Sequence, residues 1–294
     1  MTDSVLTGTV NGDEAAPPPC ATTPSQASSG NNGNVMGYFF QDNTSSPTPD
    51  LDHTATFTYD TLNRLTSSVA TGNQTHNLDF SYDRWGNAKC DADGQTQGPC
   101  ANWSFDTNKN QINDTNYTYD AAGNMLQDGT GTGTHTYQWD AEGRLVSIDG
   151  VAGQACQSTW AACFTYNALG QFVKRRDPTL SKNLYFYRYP SGDWAFMRTD
   201  TAVYEDYFLP VAGREFAVLG SYFVHLNKLG SATYLTNHTG AVTQKILYYP
   251  WGQQWVTAGT VTHVRFASMD QRQWGLDITP NRSYHPRLYR WLSG

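Results

Sequence analysis

The chain has 294 residues, a net charge of −7, and is 14% aromatic but only 15% charged. The acidic balance argues against nucleic-acid binding, whose footprint is a basic patch; Lys174-Arg175-Arg176 is the one basic run and reads as a solvated strand end. No stretch approaches the apolar length of a membrane span, and Gly and Asn interrupt nearly every window of helical length, which points to an all-β chain of short strands and polar turns.

Residues 1–33 are rich in Pro, Ser, Thr, Asn and Gly, including Pro17-Pro18-Pro19, and have neither a basic leader nor an apolar run. No signal peptide is visible, and little fixed structure is expected there. Asn32-Gly33-Asn34-Val35 has the look of the tail of a degenerate repeat.

From residue 34 to about 180 one phrase recurs: aromatic, any residue, aromatic, Asp, two residues, Gly, then Asn or Arg. It reads Phe57-Thr58-Tyr59-Asp60 with Asn63-Arg64, then Phe80-Ser81-Tyr82-Asp83 with Gly86-Asn87. It returns as Tyr117-Thr118-Tyr119-Asp120 with Gly123-Asn124, and as Tyr137-Gln138-Trp139-Asp140 with Gly143-Arg144. A further copy is Phe164-Thr165-Tyr166-Asn167 with Gly170-Gln171. Aromatics two apart share one face of a strand. Asp, or Asn167, opens a type I turn, and Gly, or Asn63, closes it where φ is positive. Each copy therefore predicts a strand, a tight turn and a return strand. Hairpins of this kind are marginal alone and gain stability side by side.

Insertions separate the phrases. Cys90 and Cys100 bracket one and Cys156 and Cys163 another; the reading preferred over free thiols is a disulfide at the base of each loop, which implies an oxidising compartment and leaves Cys20 over. No cysteine or histidine spacing suits zinc. Asp91-Ala92-Asp93-Gly94 opens like a calcium loop but its Gly comes too early and no Glu closes it. Gly129-Thr130-Gly131-Thr132-Gly133 lacks the third Gly of a dinucleotide loop and reads as a hairpin tip. No metal and no cofactor are expected.

Taken as an ordered series with two C-terminal stretches, these phrases resemble the YD repeats of the RHS family, which also includes the C component of Tc toxins and the teneurins. The first stretch is His225-Leu226-Asn227-Lys228-Leu229-Gly230-Ser231, followed by Gly240 and Tyr248-Tyr249-Pro250-Trp251-Gly252. The second runs from Phe266 to Trp291 and resembles the RHS-associated core motif, with Gly275-Leu276-Asp277, Arg282, Tyr284, Pro286-Arg287-Leu288 and Arg290-Trp291-Leu292-Ser293. The resemblance covers about residues 31–294 and divides the chain into a disordered segment at 1–33, a YD-hairpin region at 34–180 and a truncated core region at 181–294. It implies consecutive antiparallel hairpins coiled into a partly open, shell-like sheet, with the core motif turned inward as a plug. Departures weaken the plug: Asn227 stands for Asp, residues 266–272 are eroded, and Ile278-Thr279-Pro280 replaces an aromatic-glycine phrase.

The resemblance further implies a structural container that helps deliver a C-terminal effector, with that effector or upstream repeats as partners, at an extracellular or cell-surface location. Arg282 matches an arginine associated with the family's aspartyl autoprotease, but the two aspartates such chemistry needs are absent, so no autoproteolysis is expected. The motif histidines His225 and His285 are expected to make structural hydrogen bonds. Glu205 and Asp206 are adjacent on a strand, face opposite ways and make a poor glycosidase pair. The alternative is a carbohydrate-binding module, with Trp85, Trp103, Trp139, Trp160 and Trp194 as stacking candidates against a default of packing.

Overall fold

The computed structural model describes residues 33–42, 44, 46–91, 97–177, 181–190, 194–200, 204–211, 214–219, 222–259, 266–271 and 274–293; the side chains at 177, 194, 204–211 and 214–219 lie outside that description. The expectations for residues 1–32, for Cys20, for most of the calcium-like loop and for the side chains of Trp194, Glu205 and Asp206 therefore fall outside it.

The described residues are all-β apart from a short 3-10 turn at Phe266–Ser268. Strands follow one another as an antiparallel meander in chain order. A five-stranded N-terminal sheet comprises Gly37–Phe40, His53–Tyr59, Leu65–Gly72, His76–Tyr82 and Ala88–Cys90. A hairpin, Tyr117–Tyr119 with Met125–Asp128, leads by a bridge between Gln127 and Thr136 to the main sheet. That sheet has twelve strands, from Tyr137–Trp139 to Gln254–Gly259, and Phe172–Asp177 pairs with Lys182–Arg188 within it. Four short strands, Asp270–Gln271, Asp277–Ile278, Ser283–His285 and Arg290–Trp291, form a separate C-terminal sheet.

Every repeat phrase folds as the same hairpin. At Asp120 the amide of Gly123 donates to the Asp120 carbonyl at 3.1 Å, closing the turn, and Gly123 sits at φ 88°. The Asp120 carboxylate organises the rest: Oδ1 accepts from the amides of Ala122 and Asn124, and Oδ2 accepts from the Asn124 side chain at 2.8 Å. Asp60 and Asp140 hold Arg64 and Arg144 in the same way through Nε. Four of the strand pairs then slip register by a bulge beside the turn, as between Thr118 and Tyr119, while the Asp83 hairpin keeps its register. The requirement for Asp or Asn first, a positive-φ residue fourth, and Asn, Arg or Gln fifth thus follows from one hydrogen-bond pattern.

The aromatic just before each turn ties neighbouring hairpins together. Its polar tip donates to the carbonyl just past the preceding turn at the same end of the sheet: Tyr82 Oη to Leu65 O at 2.6 Å, Trp139 Nε1 to Met125 O at 2.7 Å, and Tyr166 Oη to Leu145 O at 2.7 Å. Where the fifth residue is Arg, its guanidinium lies over the ring of that next aromatic, Arg64 on Tyr82 and Arg144 on Tyr166. The first rung, Tyr59 Oη to Val35 O at 2.8 Å, places Val35 and the positive-φ Gly33 where the end of an earlier turn belongs. The described part of the expected repeat tail, Gly33 to Val35, is so placed, and Asn32 lies outside the described residues.

Candidate functional site: the inward C-terminal segment

The residues that set this chain apart from a plain sheet lie where its C-terminal segment meets the inner face of the wall. Trp274, Leu276, Ile278, Leu288 and Leu292 are buried in one core with Met125, Phe164, Phe172, Phe186, Met197 and Leu235 of the wall. Trp274 meets Phe164 edge-on at 6.0 Å. Backbone bonds fasten the two together, Met125 N to Leu292 O at 2.9 Å and Phe172 N to Pro280 O at 3.1 Å. Burying large apolar side chains contributes roughly 1.5–3 kcal/mol each, so this packing dominates the attachment.

Charge is buried there as well. Arg175 is fully buried, and its Nη1 donates to Asp270 Oδ2 at 2.8 Å while the guanidinium lies over Phe186 and Trp274. The solvated reading of Lys174-Arg175-Arg176 is therefore corrected at Arg175. It sits mid-strand and points inward, where the C-terminal segment supplies the carboxylate its desolvation requires. Asp128 lies at a second junction, accepting from Tyr137 Oη at 2.6 Å and the His135 amide, with His285 Nε2 at 3.0 Å. Burial pushes the Asp128 carboxyl up, but these hydrogen bonds outweigh it and hold it below its ordinary value. Burial pushes His285 down against the raising effect of Asp128.

The core-motif residues are placed as follows. His225 is exposed and bonds Thr236 Oγ1 at 3.0 Å. Gly230 closes a turn opened by Asn227, whose side chain accepts from the Leu229 and Ser231 amides. Asn227 therefore performs the part expected of Asp. Asn237 with Gly240 repeats that turn, although Thr236 precedes it and Ala241 follows the glycine. Pro250, Trp251 and Gly252 form another tip, with Trp251 stacked on Tyr289 at 5.4 Å and its carbonyl accepting from Tyr284 Oη. Burial raises the Tyr284 hydroxyl well above its usual value. Gly275 has φ 71°, Leu276 and Asp277 are fully buried, and the Pro286 carbonyl accepts from Gln253 Nε2 at 2.7 Å. Arg290 reaches Asn110 O at 2.8 Å across the face of Phe105.

Arg282 is exposed; it lies over the Trp291 ring at 4.7 Å and donates to Ser293 O at 2.8 Å. Its described partners are thus an indole and a carbonyl. Of the tryptophans considered for sugar stacking, Trp160 is buried, Trp103 and Trp139 pack against the core, and Trp85 is exposed beneath Arg84. Of these four, only Trp85 is exposed. Cys90 pairs with Cys100 and Cys156 with Cys163, with Cα separations of 5.1 and 6.1 Å. Among the described residues no His, Cys, Asp and Glu cluster suits a metal ion, and no helix is long and apolar enough to cross a membrane.

The two ends of the wall also meet, at a seam not visible in the sequence. Lys245 and Asp42, both fully buried side chains, pair at 2.6 Å across most of the chain. Phe40 stacks between His53 and Tyr234, and Trp255 meets His53 and His76 edge-on at 5.0 and 4.4 Å. Tyr249 covers His76, and Trp251 covers Phe80.

A meander of turn-matched hairpins, bent until its ends touch and lined by its own C-terminal segment, defines a YD-repeat shell wall. The chain belongs to the Teneurin YD-shell family, whose model matches residues 34–294. Among curated proteins it is similar to the tRNA3(Ser)-specific nuclease WapA of Bacillus spizizenii, 25% identical over 230 residues, which is 74% of this chain and 9% of that protein. The tRNA nuclease WapA of Bacillus subtilis is 25% identical over 228 residues with the same shares. This chain therefore spans less than a tenth of the length of either relative. Its fold is similar to the Tc holotoxin pore of Photorhabdus luminescens carrying a mutated TccC3, with a TM-score of 0.60 and 16% identity, covering 82% of this chain and 14% of that one.

Proposed function

We propose that this chain is the closing portion of a YD shell whose C-terminal segment seals the wall from inside and marks the start of a carried effector. The observation that carries this reading is the burial of Trp274, Leu276, Ile278, Leu288 and Leu292 within the wall's own core. A segment so placed brings the Arg290–Ser293 stretch against Met125, so that anything continuing from it would begin at the shell's inner surface. Upstream repeats would add to the first strand, Gly37–Phe40, which is the edge of its sheet. The names of the two curated relatives make a tRNA nuclease the first class of cargo to test.

In this reading the wall itself has no catalytic centre. Arg282 is occupied in holding Trp291 and Ser293, and two carboxylates at the junction with the wall, Asp128 and Asp270, are each committed to a buried cation or hydrogen-bond set. Delivery implies an extracellular or cell-surface destination. The test extends the reading frame at both ends and images the product by cryo-electron microscopy, with limited trypsin digestion alongside. The expected result is a downstream segment inside the wall, protected from trypsin, and an intact mass after prolonged incubation. A downstream segment lying outside and freely digested would overturn the container; a cut close after Ser293 would overturn the inert wall.

A further inference from the structure

The seam joins two parts of the wall through ring contacts and through Lys245, whose ammonium donates to Asp42 Oδ2 and Thr44 O, and histidines occupy its centre. His53 and His76 are each only 4% exposed, and both abut the Trp255 ring. His53 Nδ1 lies 2.7 Å from Leu51 O and its Nε2 3.2 Å from Tyr38 Oη. His76 Nε2 lies 2.8 Å from Ser68 Oγ, while its Nδ1 is buried with no hydrogen-bond partner. The walls of the cluster are Tyr38 and Phe40 from the first strand, Ser68 from the third, and Tyr249 and Trp255 from the far end of the main sheet. Among the described residues no carboxylate hydrogen-bonds either imidazole. Asp52 is the acidic neighbour of His53, and the Asp42–Lys245 pair closes the far side beside Tyr234.

We propose that this seam is an acid-operated latch: protonating His53 and His76 places two like charges in a buried aromatic cluster and parts the N-terminal sheet from the end of the main sheet. Burial lowers the affinity of both imidazoles for protons, His76 to about 4 with a further lowering from His53. The opened seam, in which water reaches them, restores ordinary histidine behaviour near pH 6.5. Opening therefore takes up protons. The closed state is fully favoured above about pH 6.5 and loses about tenfold per pH unit for each histidine between there and its closed-state value. The other seam groups do not share that window. Burial pushes Asp42 up, but Lys245, Thr44 and the Leu51 amide outweigh it and keep it ionised, while burial keeps Tyr38, Tyr234 and Tyr249 neutral. The inference concerns the wall alone and stands whether or not an effector is enclosed.

Hydrogen–deuterium exchange of the whole chain at pH 7.5, 6.5, 5.5 and 4.5, corrected for intrinsic rates, tests it. Peptides covering 53–82 and 244–259 should lose at least about tenfold in protection by pH 4.5, reversibly, while peptides covering 162–188 hold. His53→Gln with His76→Gln should keep the seam protected in acid. Should that variant fail to fold, the single His76→Gln, which preserves the bond to Ser68, should halve the steepness of the pH response. Equal acid loss throughout the molecule, no loss at the seam, or an unchanged response in the folded variants would overturn the latch.

Discussion

His285 Nε2 lies 3.0 Å from Asp128 Oδ2, fastening the C-terminal segment to a strand 157 residues earlier. Tyr137 Oη and the His135 amide complete the carboxylate's shell. Asp128 has a depressed pKa, so its contribution is present above about pH 3.9 and disappears as pH falls through its lower folded value. His285 is also depressed, so its contribution is whole above about pH 6.5 and is lost as pH falls below that. Urea unfolding from pH 3 to 8 should thus show acid destabilisation in two stages. Asp128→Asn should cost roughly 2–4 kcal/mol at pH 7 and flatten the lower stage, because an amide cannot accept from all three donors.

The turn grammar separates backbone from side-chain effects. No atom lies within 4 Å of a Cβ built on Gly123, so Gly123→Ala should cost about 1–2 kcal/mol from its positive φ alone. Asp120→Ala should lose about as much by stripping the Ala122 and Asn124 amides of their acceptor. Asp120→Asn should lose clearly less, as Asn167, Asn227 and Asn237 already fill that position. Denaturation midpoints of the three variants check the order.

The rungs between hairpins predict a small, specific loss. Tyr166→Phe removes the bond to the Leu145 carbonyl and leaves the ring under Arg144. A destabilisation of about 1 kcal/mol is expected, with faster amide exchange at residues 145–148.

At the Arg175–Asp270 pair, removing one partner differs from removing both. Arg175→Met strands the Asp270 carboxylate in the core and should cost about 3–5 kcal/mol. Adding Asp270→Leu should recover most of it, measured as a double-mutant cycle in urea.

Peptide mapping without reduction should recover Cys90 joined to Cys100 and Cys156 joined to Cys163. Each closes a short loop, for which chain entropy gives about 2.5 kcal/mol, and reductant should lower the unfolding midpoint accordingly.

The hairpins were legible because each is a local device. Asp60, Asp83, Asp120, Asp140 and Asn167 open turns using partners within a few residues, so their spacing alone carries the signal. Asn237 escapes that pattern because Thr236 stands where the aromatic belongs and Ala241 is the fifth residue. The candidate site was less visible. Arg175 looked like part of a solvated basic run, and Lys245, Asp42, His53 and His76 carried no pattern, because each meets its partner far along the chain or across two packed faces.

Order along the chain, strand and turn positions and the all-β class therefore followed from residues acting on near neighbours, through φ, strand alternation and carboxylate–amide bonds. Which face became the inside, which charges could be buried there and where the wall meets itself were decided by tertiary structure. Burying Arg175 or Lys245 is tolerable only once a carboxylate from a distant segment arrives to meet it.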